Sequence, residues 1–105
     1  MKIKEIDPVT LKQWMSEGKA ILVDIREAAE RAVEKIYGTH HLPLSAFNPS
    51  DLPAHDGKIV VYHCVGGKRT AMAGPQLTAA SHAASDVYHL SGGIMAWKNT
   101  GHGVS

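Results

Sequence analysis

Apolar runs of strand length recur along the chain and alternate with segments of helical character. The best defined runs are Ala20–Asp24 and Ile59–His63, the latter rich in β-branched residues, and Asp86–Leu90 is predicted as the last strand. Such runs are typical of buried strands. The first is apolar until its last position, which suits a parallel sheet that is covered on both faces. Strands that alternate with helices predict an α/β fold with helices on both sides of a parallel sheet.

The first helix has a clear start signal. Asp7 can cap it, and Pro8 suits the first helical position because that position needs no N–H group. Leu11, Trp14 and Met15 recur at helical spacing, so we expect them to face the core. Residues 3–6 alternate between apolar and polar side chains, and this pattern predicts a short edge strand before the helix.

The segments between the main strands are less regular. Residues 28–35 are a short helix candidate with mixed charge. Residues 41–47 predict a third strand with Pro43 near its start, where a missing N–H group is tolerated. Residues 48–57 contain prolines, aspartates and a glycine, which indicates a loop with one helical turn at most. Residues 94–98 predict a short helix after a Gly-Gly turn.

A longer helix is predicted after the central strand, over residues 69–81. Met72, Leu77 and Ala80 are its expected inward-facing residues. The pair Gly74-Pro75 lies inside this segment. Because proline removes a backbone hydrogen bond, we expect a bend or a restart of the helix there.

Composition limits the classes of function. The chain has 105 residues, which suits one domain over residues 1–105 with one core. The formal net charge of +1 gives no electrostatic case for a nucleic acid or an anionic membrane as partner. Residues 1–7 carry charges where a signal peptide needs its apolar region, and the single cysteine allows no internal disulfide, so we expect a cytoplasmic protein.

Cys64, the cysteine of this chain, directly follows the strand predicted at Ile59–His63. Gly66-Gly67 and then Lys68-Arg69 come after it, at the start of the predicted helix. Backbone N–H groups and the positive end of a helix dipole meet at such a position, where they stabilise a thiolate and bind anions. A small buried hydrophobic residue beside an ordinary loop is the alternative interpretation of Cys64. The combination of cysteine, glycines and cations favours a nucleophile that acts on an anionic substrate.

Four stretches of the sequence resemble motifs of the rhodanese family, the thiosulfate or persulfide sulfurtransferases. They occur in the family's order, extend over nearly the whole chain, and read Leu22-Val-Asp-Ile-Arg-Glu27, His41-Leu-Pro43, Cys64-Val-Gly-Gly-Lys-Arg69-Thr70 and Leu90-Ser-Gly-Gly-Ile-Met-Ala-Trp97. The resemblance implies a rhodanese fold with a central, mostly parallel five-stranded sheet.

The resemblance also implies a reaction. Cys64 would take sulfane sulfur from thiosulfate or a persulfide donor, form a persulfide, and pass the sulfur to cyanide or a thiol, including a protein thiol. No cofactor is expected. In this scheme the N–H groups from Val65 through Thr70 point toward the sulfur, and Gly66 and Gly67 supply positive φ angles. The simplest role of Thr70 is to cap the helix, and its hydroxyl can also donate to the sulfur.

Charged residues around the loop have two possible roles each. Lys68 and Arg69 can attract the donor anion and offset the charge of departing sulfite, but Arg69 can instead pair with a carboxylate, and Lys68 can simply be solvated. Asp24 and Arg26 lie at the carboxyl end of a predicted strand, where ligands bind in open α/β sheets. The resemblance favours a supporting role for these two residues, in which they hold the active-site region together without touching the substrate.

Two other functions remain open. A phosphatase with a rhodanese-like fold carries His-Cys-x5-Arg, whereas four residues separate Cys64 from Arg69 here. The shorter loop suits a persulfide better than a phosphate, because phosphate recognition depends on a complete ring of N–H donors. A sulfur carrier or interaction module with little turnover is the other alternative, and it would unload only to a specific partner.

The seven histidines do not predict a metal site. His40 and His41 are adjacent on a predicted strand and therefore point to opposite faces, so they cannot easily bind one ion. No cysteine and histidine pair has zinc-site spacing. We expect His41 to be structural, and His55, His82, His89 and His102 to be surface or partly buried groups.

Overall fold

The computed structural model describes residues 3–105, which form a five-stranded sheet with helices on both faces. The strands are β1 (Lys4–Ile6), β2 (Ala20–Asp24), β3 (His40–His41), β4 (Ile59–His63) and β5 (Asp86–Leu90), and the helices are α1 (Pro8–Ser16), α2 (Ala28–Val33), α3 (Lys68–Met72), α4 (Gly74–Ala80) and α5 (Gly93–Asn99). Two short 3₁₀ turns, Leu44–Ala46 and Pro49–Asp51, lie between β3 and β4.

The strands pair in the order β1-β5-β4-β2-β3, and each of these pairs is parallel. The predicted α/β fold with a five-stranded sheet is therefore confirmed, including the edge strand before the first helix. The register places Asp24 beside His63 and Tyr62 beside His89. The carboxyl ends of β2, β4 and β5 thus meet at one edge of the sheet, which is where Cys64 follows β4.

Side chains of the central strand β4 alternate between two hydrophobic cores. Val60 and Tyr62 point to one face, together with Cys64 just beyond the strand, and they pack with Leu77 of α4. Val61 points to the other face, where its cluster contains residues of α1 and α5, namely Leu11, Ile94 and Trp97. This alternation turns Cys64 toward the α3–α4 side of the sheet.

The start of α1 is confirmed. The Asp7 side chain accepts a hydrogen bond from the Thr10 N–H group at 2.9 Å, and Pro8 occupies the first helical position. Leu11 is fully buried, while Trp14 and Met15 are partly buried against the same core.

Two predicted elements differ from the structure. The strand expected over residues 41–47 ends at His41, and the Leu44–Ala46 turn replaces the rest of it. Pro43 has no N–H group for the ladder, and its carbonyl instead accepts the hydrogen bond from Ala46 N–H that closes the turn. The helix expected over residues 28–35 ends two residues earlier, at Val33.

The helix predicted over residues 69–81 is interrupted at Ala73, next to Gly74-Pro75. The expected restart is confirmed, because α3 ends at Met72 and α4 begins at Gly74. Leu77 and Ala80 face the core as expected. The inward orientation predicted for Met72 is wrong, since this side chain is 75% exposed. The helical period breaks after α3, so spacing counted from α4 does not extend back to Met72.

Candidate active site

The loop from Cys64 to Gly67 connects the end of β4 to the start of α3. The Cys64 residue is buried, with only 1% of its surface exposed. The sulfur accepts a hydrogen bond from the Gly67 N–H group at 3.2 Å, and the Thr70 hydroxyl oxygen lies 3.6 Å from it. These two donors can stabilise negative charge on the sulfur.

Several expectations about the loop need correction. Gly67 has the predicted positive φ angle, +95°, but Gly66 does not. Among residues 3–105, Gly67 supplies the one backbone N–H group that donates a hydrogen bond to the sulfur, rather than the whole series from Val65 to Thr70. Thr70 is not the helix cap, because Gly67 occupies that position and Thr70 lies one turn into α3. Its hydroxyl oxygen instead lies within the loop, 3.1 Å from the Gly67 carbonyl oxygen, which is one of the acceptors within its reach.

The second Gly-Gly pair supports the cysteine loop from the other side. Gly93 has a φ angle of +59°, and a Cβ atom there would lie 2.3 Å from the Val65 carbonyl oxygen and 2.5 Å from that of Cys64. The first N–H groups of α5 donate to the same oxygens, Ile94 to Cys64 at 3.0 Å and Met95 to Val65 at 3.2 Å. The motif ending at Trp97 therefore fixes the backbone of the cysteine loop.

Arg69 pairs with a carboxylate. Its guanidinium donates two hydrogen bonds of 2.8 Å to the two carboxylate oxygens of Glu30 on α2. The hydrogen bonds from Arg69 lower the pKa of Glu30 to about 2, so this carboxylate is charged at neutral pH. This is the alternative in which Arg69 braces the loop, and the substrate-binding role of Arg69 stays a prediction. Lys68 is exposed to solvent.

Asp24 and Arg26 form a buried pair beneath the loop. The guanidinium of Arg26 contacts both oxygens of Asp24 at 2.9 to 3.2 Å and also donates to the Glu34 carbonyl at 2.8 Å. Arg31 adds a contact of 3.3 Å to the same carboxylate. Burial would raise the pKa of Asp24, but these interactions outweigh it and the pKa is lowered. The pair ties the segment after β2 to α2.

His63 connects this pair to the cysteine. It is fully buried beside Asp24, with 3.8 Å between its Nε2 atom and the nearest carboxylate oxygen, and its Nδ1 atom lies 3.2 Å from the Cys64 carbonyl. Burial lowers the pKa of His63 to about 4, so the ring is neutral at physiological pH. Nδ1 must then carry the proton to donate to that carbonyl.

Sequence reasoning gave Glu30 and His89 no part in the site, and it quoted Gly93 within a motif without predicting its contact with the cysteine loop. The expectation that His89 is a surface or partly buried group is wrong, since it is buried, with 5% exposed, and its Nδ1 atom lies 2.7 Å from the Thr70 hydroxyl. Strand alternation offered a signal, because neighbours on both sides of His89 point to the α1–α5 core and His89 must therefore point to the face of Cys64. No local pattern indicated that Glu30 would meet Arg69.

The part of the chain that the structure describes contains no helix long and apolar enough to cross a membrane. Within residues 3–105, no group of three or more histidine, cysteine, aspartate or glutamate side chains is arranged to hold a metal ion.

A family model described as Rhodanese-like domain matches residues 7–100. The chain therefore belongs to the rhodanese-like domain family, as the four sequence motifs predicted.

Known proteins show the range of this similarity. An uncharacterized protein from Synechocystis sp. is 42% identical over 96 residues, which cover 91% of this chain and 52% of that protein. The thiosulfate sulfurtransferase GlpE from Pseudomonas fluorescens is 30% identical over 99 residues, covering 94% and 88% of the two chains. The crystal structure of a thiosulfate sulfurtransferase from Pseudomonas aeruginosa superposes with a TM-score of 0.84 at 25% identity, covering 98% of this chain and 19% of that one. The chain thus spans about half the length of the Synechocystis relative.

Proposed function

We propose that this chain is a sulfurtransferase that carries sulfane sulfur as a persulfide on Cys64. The observation that carries the proposal is the placement of the Cys64 sulfur within reach of the Gly67 N–H and the Thr70 hydroxyl. Membership of the rhodanese-like family and the similarity to thiosulfate sulfurtransferases support it. Thiosulfate or a persulfide is the proposed donor, and cyanide or a thiol, including a protein thiol, is the proposed acceptor.

The first half of the reaction loads the cysteine. The Cys64 thiolate attacks the outer sulfur of thiosulfate, and a new sulfur–sulfur bond forms on Cys64. The original sulfur–sulfur bond breaks, and its electron pair leaves with sulfite. The product is an anionic persulfide, which can take over the hydrogen bond that the sulfur now accepts from Gly67.

The second half of the reaction removes the transferred sulfur from Cys64. A cyanide ion or a thiolate attacks the terminal sulfur, and the electron pair of the broken bond returns to Cys64 as thiolate. The acceptor leaves as thiocyanate or as a persulfide. The rigid backbone around Cys64 supports both halves, because the contacts from α5 hold the two carbonyl groups that precede Gly66.

Arg69 has a restricted part in this scheme. Its bidentate pair with Glu30 neutralises much of its charge and holds the guanidinium on α2. A donor anion therefore meets a weaker positive field than the sequence suggests, unless the pair opens. The same pair counts against a phosphatase, which needs an arginine free to contact the phosphate oxygens.

Intact-protein mass spectrometry tests the proposal. Reduced protein is treated with thiosulfate and then with cyanide, beside a Cys64→Ser variant as control. Gain of one sulfur atom, followed by its loss with formation of thiocyanate, is the expected result, and the variant should show neither step while it keeps its fold. Turnover by Cys64→Ser would sink the mechanism. Loading without release to cyanide or small thiols would favour the carrier, and hydrolysis of a phosphate ester without loading would favour the phosphatase.

A further inference from the structure

The Thr70 hydroxyl connects the sulfur of Cys64 to a buried histidine. Its oxygen lies 3.6 Å from the Cys64 sulfur and 2.7 Å from the Nδ1 atom of His89. His89 comes from β5, whereas Thr70 comes from α3 and Cys64 from the end of β4. Three separate elements thus place a thiol, a hydroxyl and an imidazole next to one another, with the hydroxyl in contact with both of the other groups.

The hydroxyl has one proton and can both donate and accept. When Nδ1 of His89 carries no proton, the Thr70 hydroxyl donates to it at 2.7 Å rather than to the Gly67 carbonyl at 3.1 Å, and the oxygen is free to accept the proton of the Cys64 thiol. When Nδ1 is protonated it donates to the Thr70 oxygen, and the hydroxyl can turn its proton toward a thiolate on Cys64. Both arrangements use the same three atoms at the distances observed.

We propose that His89 accepts the proton of the Cys64 thiol through the Thr70 hydroxyl and thereby sets how much thiolate is available. The S–H bond of Cys64 breaks as its proton passes to the Thr70 oxygen, while the hydroxyl proton passes to Nδ1 of His89. A thiolate and an imidazolium result, and no electron is transferred. His89 is a positioning residue here, because it acts through Thr70, and the inference rests on the proposed function only for the use of this thiolate.

The surroundings of His89 act on the ring in two directions. Burial lowers the pKa of His89, which keeps the resting ring neutral at physiological pH, and the charge of Glu5 on β1 acts in the opposite direction and favours the imidazolium. Glu5 and His89 are register partners and line one small cavity of about 120 Å³. The other titratable neighbours are Tyr62, its register partner on β4, and Cys64 itself. An imidazolium would therefore face negative charge on Glu5 and on the new thiolate.

The rate of Cys64 alkylation by iodoacetamide, measured against pH, tests this relay, because only the thiolate reacts. His89→Gln keeps a polar side chain but cannot store the proton. We expect it to slow alkylation at neutral pH about tenfold and to shift the profile to higher pH. His82→Gln is the matched control, since His82 is exposed, and its profile should match the original. A His89→Gln profile that also matches would overturn the proposal.

Variants of Thr70 separate a relay from a packing effect. Thr70→Val removes the hydroxyl at nearly constant shape and should shift the profile as His89→Gln does, while Thr70→Ser should leave it unchanged. The double variant, Thr70→Val with His89→Gln, should be no slower than either single one, because both interrupt one chain. Effects that add would refute the relay. Urea unfolding of each variant identifies any that fails to fold.

The unmodified chain provides a further measurement that needs no variant. Nitrogen-15 NMR should show His89 at rest with a bare Nδ1, and blocking Cys64 with iodoacetamide should change the titration of His89 but not of His82. An unchanged His89 titration would refute the link. Neither readout requires sulfur transfer, so a shifted alkylation profile without persulfide loading would preserve the relay and reject the proposed function.

Discussion

Replacement of Gly93 by alanine should destabilise the fold and disorganise the cysteine loop. The new Cβ atom would stand 2.3 Å from the Val65 carbonyl oxygen and 2.5 Å from the Cys64 carbonyl oxygen, well inside van der Waals contact. The residue would also hold a φ angle of +59°, which L-amino acids with a Cβ rarely adopt. Backbone on both sides of the contact must therefore move.

Three effects contribute to the stability that Gly93→Ala should lose. Left-handed backbone strain contributes about 1 kcal/mol. Overpacking against rigid carbonyl groups contributes about 2 kcal/mol. The hydrogen bonds from Ile94 and Met95 to the Cys64 and Val65 carbonyls weaken, at up to about 1 kcal/mol each. We expect a total loss of about 4 kcal/mol in the free energy of unfolding, a large part of the stability of a small domain.

Gly57→Ala is the control that measures the left-handed backbone strain without the steric clash. Gly57 has a φ angle of +69°, but no atom lies within 4 Å of a Cβ placed there, so this variant should lose only about 1 kcal/mol. Urea unfolding followed by circular dichroism measures both variants, and sulfur transfer is then assayed on the folded fraction of each. Equal losses in the two variants would refute the steric argument, and unchanged transfer by folded Gly93→Ala would refute the role of Gly93 in shaping the loop.

Three further perturbations test other parts of the structure. Arg69→Ala should lower kcat/KM for thiosulfate about tenfold more than kcat/KM for an uncharged persulfide donor. Glu30→Gln should raise kcat/KM for thiosulfate, because it releases the Arg69 guanidinium. Equal losses with both donors after Arg69→Ala would assign Arg69 to bracing alone. Because the pKa of His63 is about 4 in the fold and 6.5 ordinarily, the unfolded chain binds a proton that the folded chain lacks, so stability should fall by about 3 kcal/mol as pH decreases from about 6.5 to 4. Urea unfolding at several pH values should show a smaller decrease for His63→Gln, and equal slopes would contradict the assignment. Asp7→Ala should cost about 1 kcal/mol by removing the cap on Thr10, with exposed Asp56→Ala as the neutral control; equal effects on the urea midpoint would argue against the cap.

Local chemistry made much of this protein predictable. The bounds of β2 and β4 follow from nearly continuous apolar runs, since burial on both faces leaves little room for polar residues. Asp7 and Pro8 defined the start of α1 because a helix start needs a side-chain acceptor and tolerates a missing donor. Cys64 and its glycines were recognisable for a similar reason, as the residues between a strand and a helix.

Predictions failed where one segment's conformation depends on another. Pro43 directs the chain into a turn whose Leu44 N–H group donates to the Ile25 carbonyl, just after β2. Met72 is exposed because the helix breaks before α4. No feature of the segment around Met72 specifies which residues of α3 face the core after the helix is interrupted.

The sequence by itself determined the main strands, the start of the first helix, the position of Cys64 at a strand end, and the family motifs around it, because each depends on residues close together in the chain. Only the tertiary structure decided what surrounds the sulfur. It pairs Arg69 with Glu30 across 39 positions, and it places His89 against Thr70 across 19. Such contacts arise when parallel strands align their carboxyl ends, so their partners are set by sheet order and register rather than by spacing along the chain.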